Sequence, residues 1–69
     1  MSNDHRIARA AIAVDAYITA NVEIRNEPLE TIARDLLADL AHYFGANGVD
    51  PVAALEMAVI HFESERDGL

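Results

Sequence analysis

Cysteine, tryptophan and lysine are absent from these 69 residues, and only three glycines and two prolines interrupt the chain. Without cysteine there can be no disulfide, no Cys-ligated zinc finger or iron–sulfur cluster, and no thiol chemistry. Without a glycine-rich turn there is no phosphate-cradling loop; Gly45-Ala46-Asn47-Gly48 is too short and lies between acidic segments. No apolar run approaches the roughly 18 residues that a membrane span needs. The opening Met1-Ser2-Asn3-Asp4-His5-Arg6 mixes charges of both signs and leads into an alanine-rich stretch broken by Arg9 and Asp15, unlike a secretory signal. A cytoplasmic location with no membrane partner is the expectation. All five basic residues are arginine, beside thirteen alanines. Lysine codons are rich in A, whereas arginine and alanine codons are mostly rich in G and C, which points to a GC-rich bacterial or phage genome.

A chain of this length forms one domain, here 1–69, and a core of this size contributes only about 3–5 kcal/mol unless something reinforces it. With disulfides excluded, association with a second chain is the expected reinforcement, and a homodimer its simplest form.

Charge is unevenly placed. Over residues 1–26 three acids (Asp4, Asp15, Glu23) balance three arginines (Arg6, Arg9, Arg25). Over residues 27–69 nine acids face only Arg34 and Arg66, so the whole net charge of −7 lies there. A one-signed surface of this kind governs solubility and the choice of partner.

The apolar pattern predicts an all-α chain, a compact three-helix bundle with helices over about 3–25, 28–45 and 51–66. Ile7, Ala11, Val14 and Ile18 recur at helical spacing in the first, with Ser2 or Asn3 as its cap. Pro28 opens the second, whose Leu29, Ile32, Ala33, Leu36, Leu37, Leu40, Ala41 and Phe44 form the strongest repeat in the chain. Gly45–Gly48 closes it. Asp50-Pro51 reads as an N-cap followed by a first-turn proline, and Val52, Leu55, Val59 and Phe62 form the expected inner stripe of a third helix folded back on the second.

Candidate chemistry is sparse. Asp39 and His42 have the acid-x-x-His spacing of helical di-metal sites, but His61 with Glu65 does not supply the matching half. These read as surface carboxylate–histidine pairs, and neither a metal nor another cofactor is expected. The only serines are Ser2 and Ser64, neither placed in a triad-like setting, so no catalytic residue is assigned and an enzyme is not expected. The second and third helices have helix–turn–helix proportions, which makes a DNA-binding or transcription accessory domain the alternative. Against it, Pro51–Glu65 holds Glu56, Glu63 and Glu65 and no basic residue, so a duplex would repel it, and no direct nucleic-acid contact is expected.

Two surfaces remain as candidates. The acidic set Glu30, Asp35, Asp39, Glu56, Glu63 and Glu65 would meet a basic protein surface, such as that of a nucleic-acid-binding protein. Tyr43, Met57 and Ile60 lie beside the main stripes and are of types favoured at interfaces, so they are the expected self-association residues.

The run Leu36-Leu37-Ala38-Asp39-Leu40-Ala41-His42-Tyr43, followed by Gly48-Val49-Asp50, Ala54-Leu55 and His61-Phe62-Glu63-Ser64-Glu65, resembles a helical hairpin in short, little-characterised proteins of bacteria, phages and mobile elements. The resemblance covers under half the chain and implies no activity. It implies that His42, Tyr43, His61 and Phe62 are the positions held fixed. Taken with the charge, the expected function is a small acidic, non-enzymatic inhibitor of the anti-CRISPR kind.

Overall fold

Two short segments with poor helix-forming character, 21–28 and 47–50, divide the chain, and each ends one helix and starts the next. The computed structural model describes residues 3–68 and contains three α-helices: α1 (Asp4–Ala20), α2 (Leu29–Ala46) and α3 (Pro51–Arg66). A single 3₁₀ turn, Val22–Ile24, follows α1, and there is no strand among the described residues. The all-α, three-helix class read from the sequence is the class observed.

Helix α1 differs from expectation at both ends. Asn3 occupies the N-cap position, yet its side chain makes no capping bond; its Oδ1 accepts instead from Arg6 Nη1 at 3.1 Å. Ser2, the other expected cap, lies outside the described residues. The helix stops at Ala20 rather than near Arg25. There the Asn21 backbone N–H reaches the carbonyls of both Tyr17 and Ile18 at 3.1 Å, and its side-chain amide lies 3.5 Å from the Tyr17 carbonyl. An asparagine that competes for the last carbonyls, followed by β-branched Val22 and Ile24, favours a tighter turn over another α-helical one.

The next two boundaries follow the expected chemistry. The Pro28 carbonyl accepts from the N–H groups of Thr31 and Ile32 at 3.0 and 3.1 Å and so opens α2. At the other end Val49 N–H donates to the Phe44 carbonyl at 2.9 Å and Gly48 N–H to the Gly45 carbonyl at 3.3 Å. That pair of bonds is a Schellman motif, with Gly48 at φ +79° in the left-handed position that only glycine fills without strain. Asp50 then adopts an extended backbone, and its carboxylate accepts from Val52 and Ala53 N–H at 3.0 and 3.3 Å, with Pro51 in the first turn.

The chain falls into two units, residues 2–38 and 39–69, which divide within α2. In the first unit Ile32 is buried at 4% exposure, the only buried residue among those described. Val14, Tyr17, Ile18, Ile24 and Leu36 of this unit are half-buried. Ile7 and Ala11, assigned to the inner stripe of α1, are exposed, because that stripe is drawn inward only over its C-terminal half, around Val14 to Ile18. Leu29, Ala33 and Leu37 of α2 are exposed as well.

In the second unit no described residue is buried, and Leu40, Ala41 and Phe44 of α2 are half-buried. The expected inner stripe of α3 is a correction: Val52, Leu55, Val59 and Phe62 are 63%, 40%, 54% and 57% exposed. Sequence spacing shows that these residues share a side of the helix. It does not show that anything covers that side, and within residues 39–69 nothing does.

Candidate interaction surfaces

The acidic set is distributed rather than gathered. Glu30, Asp35, Asp39, Glu56 and Glu63 are exposed, whereas Glu65 is half-buried. An α-helix turns about 100° per residue. Asp35 and Asp39, four apart on α2, therefore share a side of that helix, while Glu30 points roughly 140° away from Asp35. On α3 Glu56 and Glu63, seven apart, lie within about 20° of each other, whereas Glu65 lies about 160° from Glu63. The sequence grouping of six carboxylates thus resolves into a pair on each helix plus Glu30 and Glu65 on other sides.

Within residues 39–69 six acids stand against Arg66 alone, a net of −5. Of the six, Asp50 caps α3, Asp67 accepts from Arg66 Nε at 3.3 Å in a pair more than half exposed, and Asp39 and Glu65 also have partners. Arg66 also lies over the Phe62 ring, 5.4 Å from its centroid. The one base of this unit is therefore held at the end of α3, and the side of α3 that carries Glu56 and Glu63 has no arginine on it. The Arg66–Phe62 stacking was not anticipated, although their i, i+4 spacing on a helix allows it.

The expected self-association residues are also surface residues: Tyr43, Met57 and Ile60 are 64%, 51% and 55% exposed. Tyr43 stands edge-on to Phe44, with ring centroids 6.0 Å apart and planes at 64°. Met57 and Ile60 occupy adjacent positions on α3, about 60° apart. The stripe Val52–Leu55–Val59–Phe62 lies on the other side of that helix, so α3 carries two distinct exposed apolar strips.

His42 and His61 are exposed on α2 and α3. Among the described residues no group of three or more His, Asp or Glu side chains is gathered as metal ligands would be. None of their helices is long and apolar enough to cross a membrane. Comparison with protein-family models, curated proteins and solved structures finds no match to this chain. The hairpin resemblance accordingly assigns no residue role here.

Proposed function

We propose that this chain is a small acidic, non-enzymatic interaction module that acts as a homodimer and occupies a basic surface on nucleic-acid-binding machinery. In its most concrete form it is a phage- or mobile-element-encoded inhibitor of the anti-CRISPR kind. The observation that carries this reading is the charge of residues 39–69, where six carboxylates face one arginine that is already paired with Asp67. Carboxylates fixed on rigid helices offer a basic groove the same sign of charge that a phosphate backbone offers, and low-salt association with such a groove is fast and selective.

The test is affinity capture from a GC-rich bacterial lysate, treated with nuclease and washed at stepped salt, followed by mass spectrometry. A basic nucleic-acid-binding protein should be retained after nuclease and released as salt rises, because exposed charge pairs are screened. Its retention should fall when Glu56→Gln and Glu63→Gln are combined. Retention indifferent to salt and to those substitutions would sink the acidic-surface reading.

A further inference from the structure

Asn47 is the only one of the chain's four asparagines followed by glycine; Asn3, Asn21 and Asn26 precede Asp4, Val22 and Glu27. Asn47 and Gly48 are both exposed, and they follow directly on the end of α2 at Ala46. The peptide nitrogen after an asparagine can reach that residue's Cγ and close a five-membered ring. A side chain on the following residue ordinarily hinders the approach. Gly48 has none, and nothing lies within 4 Å of the place a Cβ would take.

Asn21 supplies an internal comparison, because it ends α1 as Asn47 ends α2. In each case the backbone N–H reaches the third and fourth preceding carbonyls: Tyr17 and Ile18 at 3.1 Å for Asn21, Tyr43 at 3.2 Å and Phe44 at 3.0 Å for Asn47. Each side-chain amide turns back to the tyrosine carbonyl, at 3.5 Å from Asn21 and 2.8 Å from Asn47. The settings differ. Asn21 is half-buried and precedes β-branched Val22, whereas Asn47 is exposed and precedes a glycine at φ +79°. Two hydrogen bonds restrain the second site: Asn47 Nδ2 to the Tyr43 carbonyl, and Gly48 N–H to the Gly45 carbonyl at 3.3 Å. Both belong to an exposed helix end, where local opening needs the least free energy.

We infer that Asn47 is a deamidation site and that its conversion unmakes the turn between α2 and α3. The Gly48 nitrogen, after giving its proton to hydroxide, attacks Cγ of Asn47. The N–Cγ bond forms, the Cγ–Nδ2 bond breaks, and the amide nitrogen takes a proton from water and leaves as ammonia. Water then opens the resulting succinimide. Cleavage of the N–Cγ bond restores the main chain with an aspartate at position 47. Cleavage between the nitrogen and the backbone carbonyl carbon leaves an isoaspartate, whose main chain runs through Cβ and Cγ. One water enters and one ammonia leaves, with no oxidant or reductant. Either product adds one negative charge to the formal −7. The aspartate loses the donor to the Tyr43 carbonyl and sets an anion at the negative end of α2. The isoaspartate also adds one carbon to the main chain inside the ring closed by Val49 N–H on the Phe44 carbonyl at 2.9 Å, so the Schellman pairing loses its spacing.

The test ages the full chain in mildly alkaline buffer, natively and in urea, and follows each position by peptide mass spectrometry. Mapping keeps position 47 apart from Asp67-Gly68, whose acid can close the same ring. In native buffer position 47 should convert several-fold faster than Asn3, Asn21 or Asn26, at a rate that rises with pH. Val22→Gly, at a position 58% exposed, should speed conversion of Asn21 several-fold; an unchanged rate there would overturn the part assigned to glycine. If Asn47 converts in urea yet natively stays as slow as Asn21, its hydrogen bonds protect it and the site is overturned. The isoaspartate form, separated by ion exchange, should show faster hydrogen exchange at Phe44–Val49 than either the unaged chain or Asn47→Asp, which carries the charge on an ordinary main chain. Equal exchange in aged and unaged chains overturns the effect on the turn. None of these outcomes depends on a basic partner or on a second copy.

Discussion

Residues 2–38 and residues 39–69 use similar sequence material to different ends. The first unit has four arginines against six acids and contains the buried Ile32; the second has one arginine against six acids and buries no described residue. Conversely, the second unit has the better-made backbone boundaries. Its Schellman motif at Gly48 and the Asp50 cap with Pro51 satisfy helix-end groups that Asn3 leaves uncapped by its side chain at the start of α1. One unit is thus organised around a side chain and the other around its turn. Good turn chemistry decides where helices begin and end, but it removes little apolar surface from water, and most helix stability comes from that removal.

The largest effect should come from Ile32, the one buried side chain among the described residues. Ile32→Ala is expected to cost about 2–5 kcal/mol, comparable to the whole stability of so small a domain, and should abolish a cooperative thermal melt followed by circular dichroism. Leu37→Ala, at a position 46% exposed, should cost much less. If the two were equal, the contrast between a unit with a core and a unit without one would fail.

Next comes the turn of the second unit. Gly48→Ala forces a Cβ into the left-handed region at φ +79°, a strain of about 1–2 kcal/mol although there is open space around it. Hydrogen exchange should show faster opening at Phe44–Val49, with residues 4–20 changed less. Asp50→Ala removes the acceptor for Val52 and Ala53 N–H and should cost about 1 kcal/mol, whereas Asp50→Asn should retain most of it. Equal loss with asparagine would mean that the charge, and not the cap, matters at this position.

The smallest effect should be at Arg66. Its pair with Asp67 is exposed, so Arg66→Ala should lower stability by about 0.5 kcal/mol or less from that pair, plus a similar amount from its stacking on Phe62. Replacement by lysine should keep the charge and lose part of the stacking. A drop beyond about 2 kcal/mol in a urea titration would show that the end of α3 is packed against something.

Much of the fold was legible because the informative residues act locally. Pro28, Gly48, Asp50 and Pro51 impose their backbone preferences through atoms only a few residues away, so α2 and α3 appear within one residue of their expected bounds. Helix α1 was read too long because Asn21 had no proline or glycine beside it to mark the break, and Val22 and Ile24 continued the apolar pattern. The candidate surfaces were less legible. The carboxylates could be counted, but helical rotation separates Glu30 from Asp35 and Glu65 from Glu63. The stripe on α3 was visible as a stripe, and its exposure was not.

The sequence by itself determined the all-α class, the helix ends on either side of Gly48, the −7 charge and its bias toward residues 27–69. These depend on backbone sterics, capping bonds and composition, which need no knowledge of distant neighbours. Only the tertiary structure decided which apolar residues are covered: within residues 2–38 Ile32 is buried, and within residues 39–69 the α3 stripe is exposed. Periodicity specifies that residues share a face, whereas burial depends on what else approaches that face, and an unpaired stripe has the same spacing as a paired one.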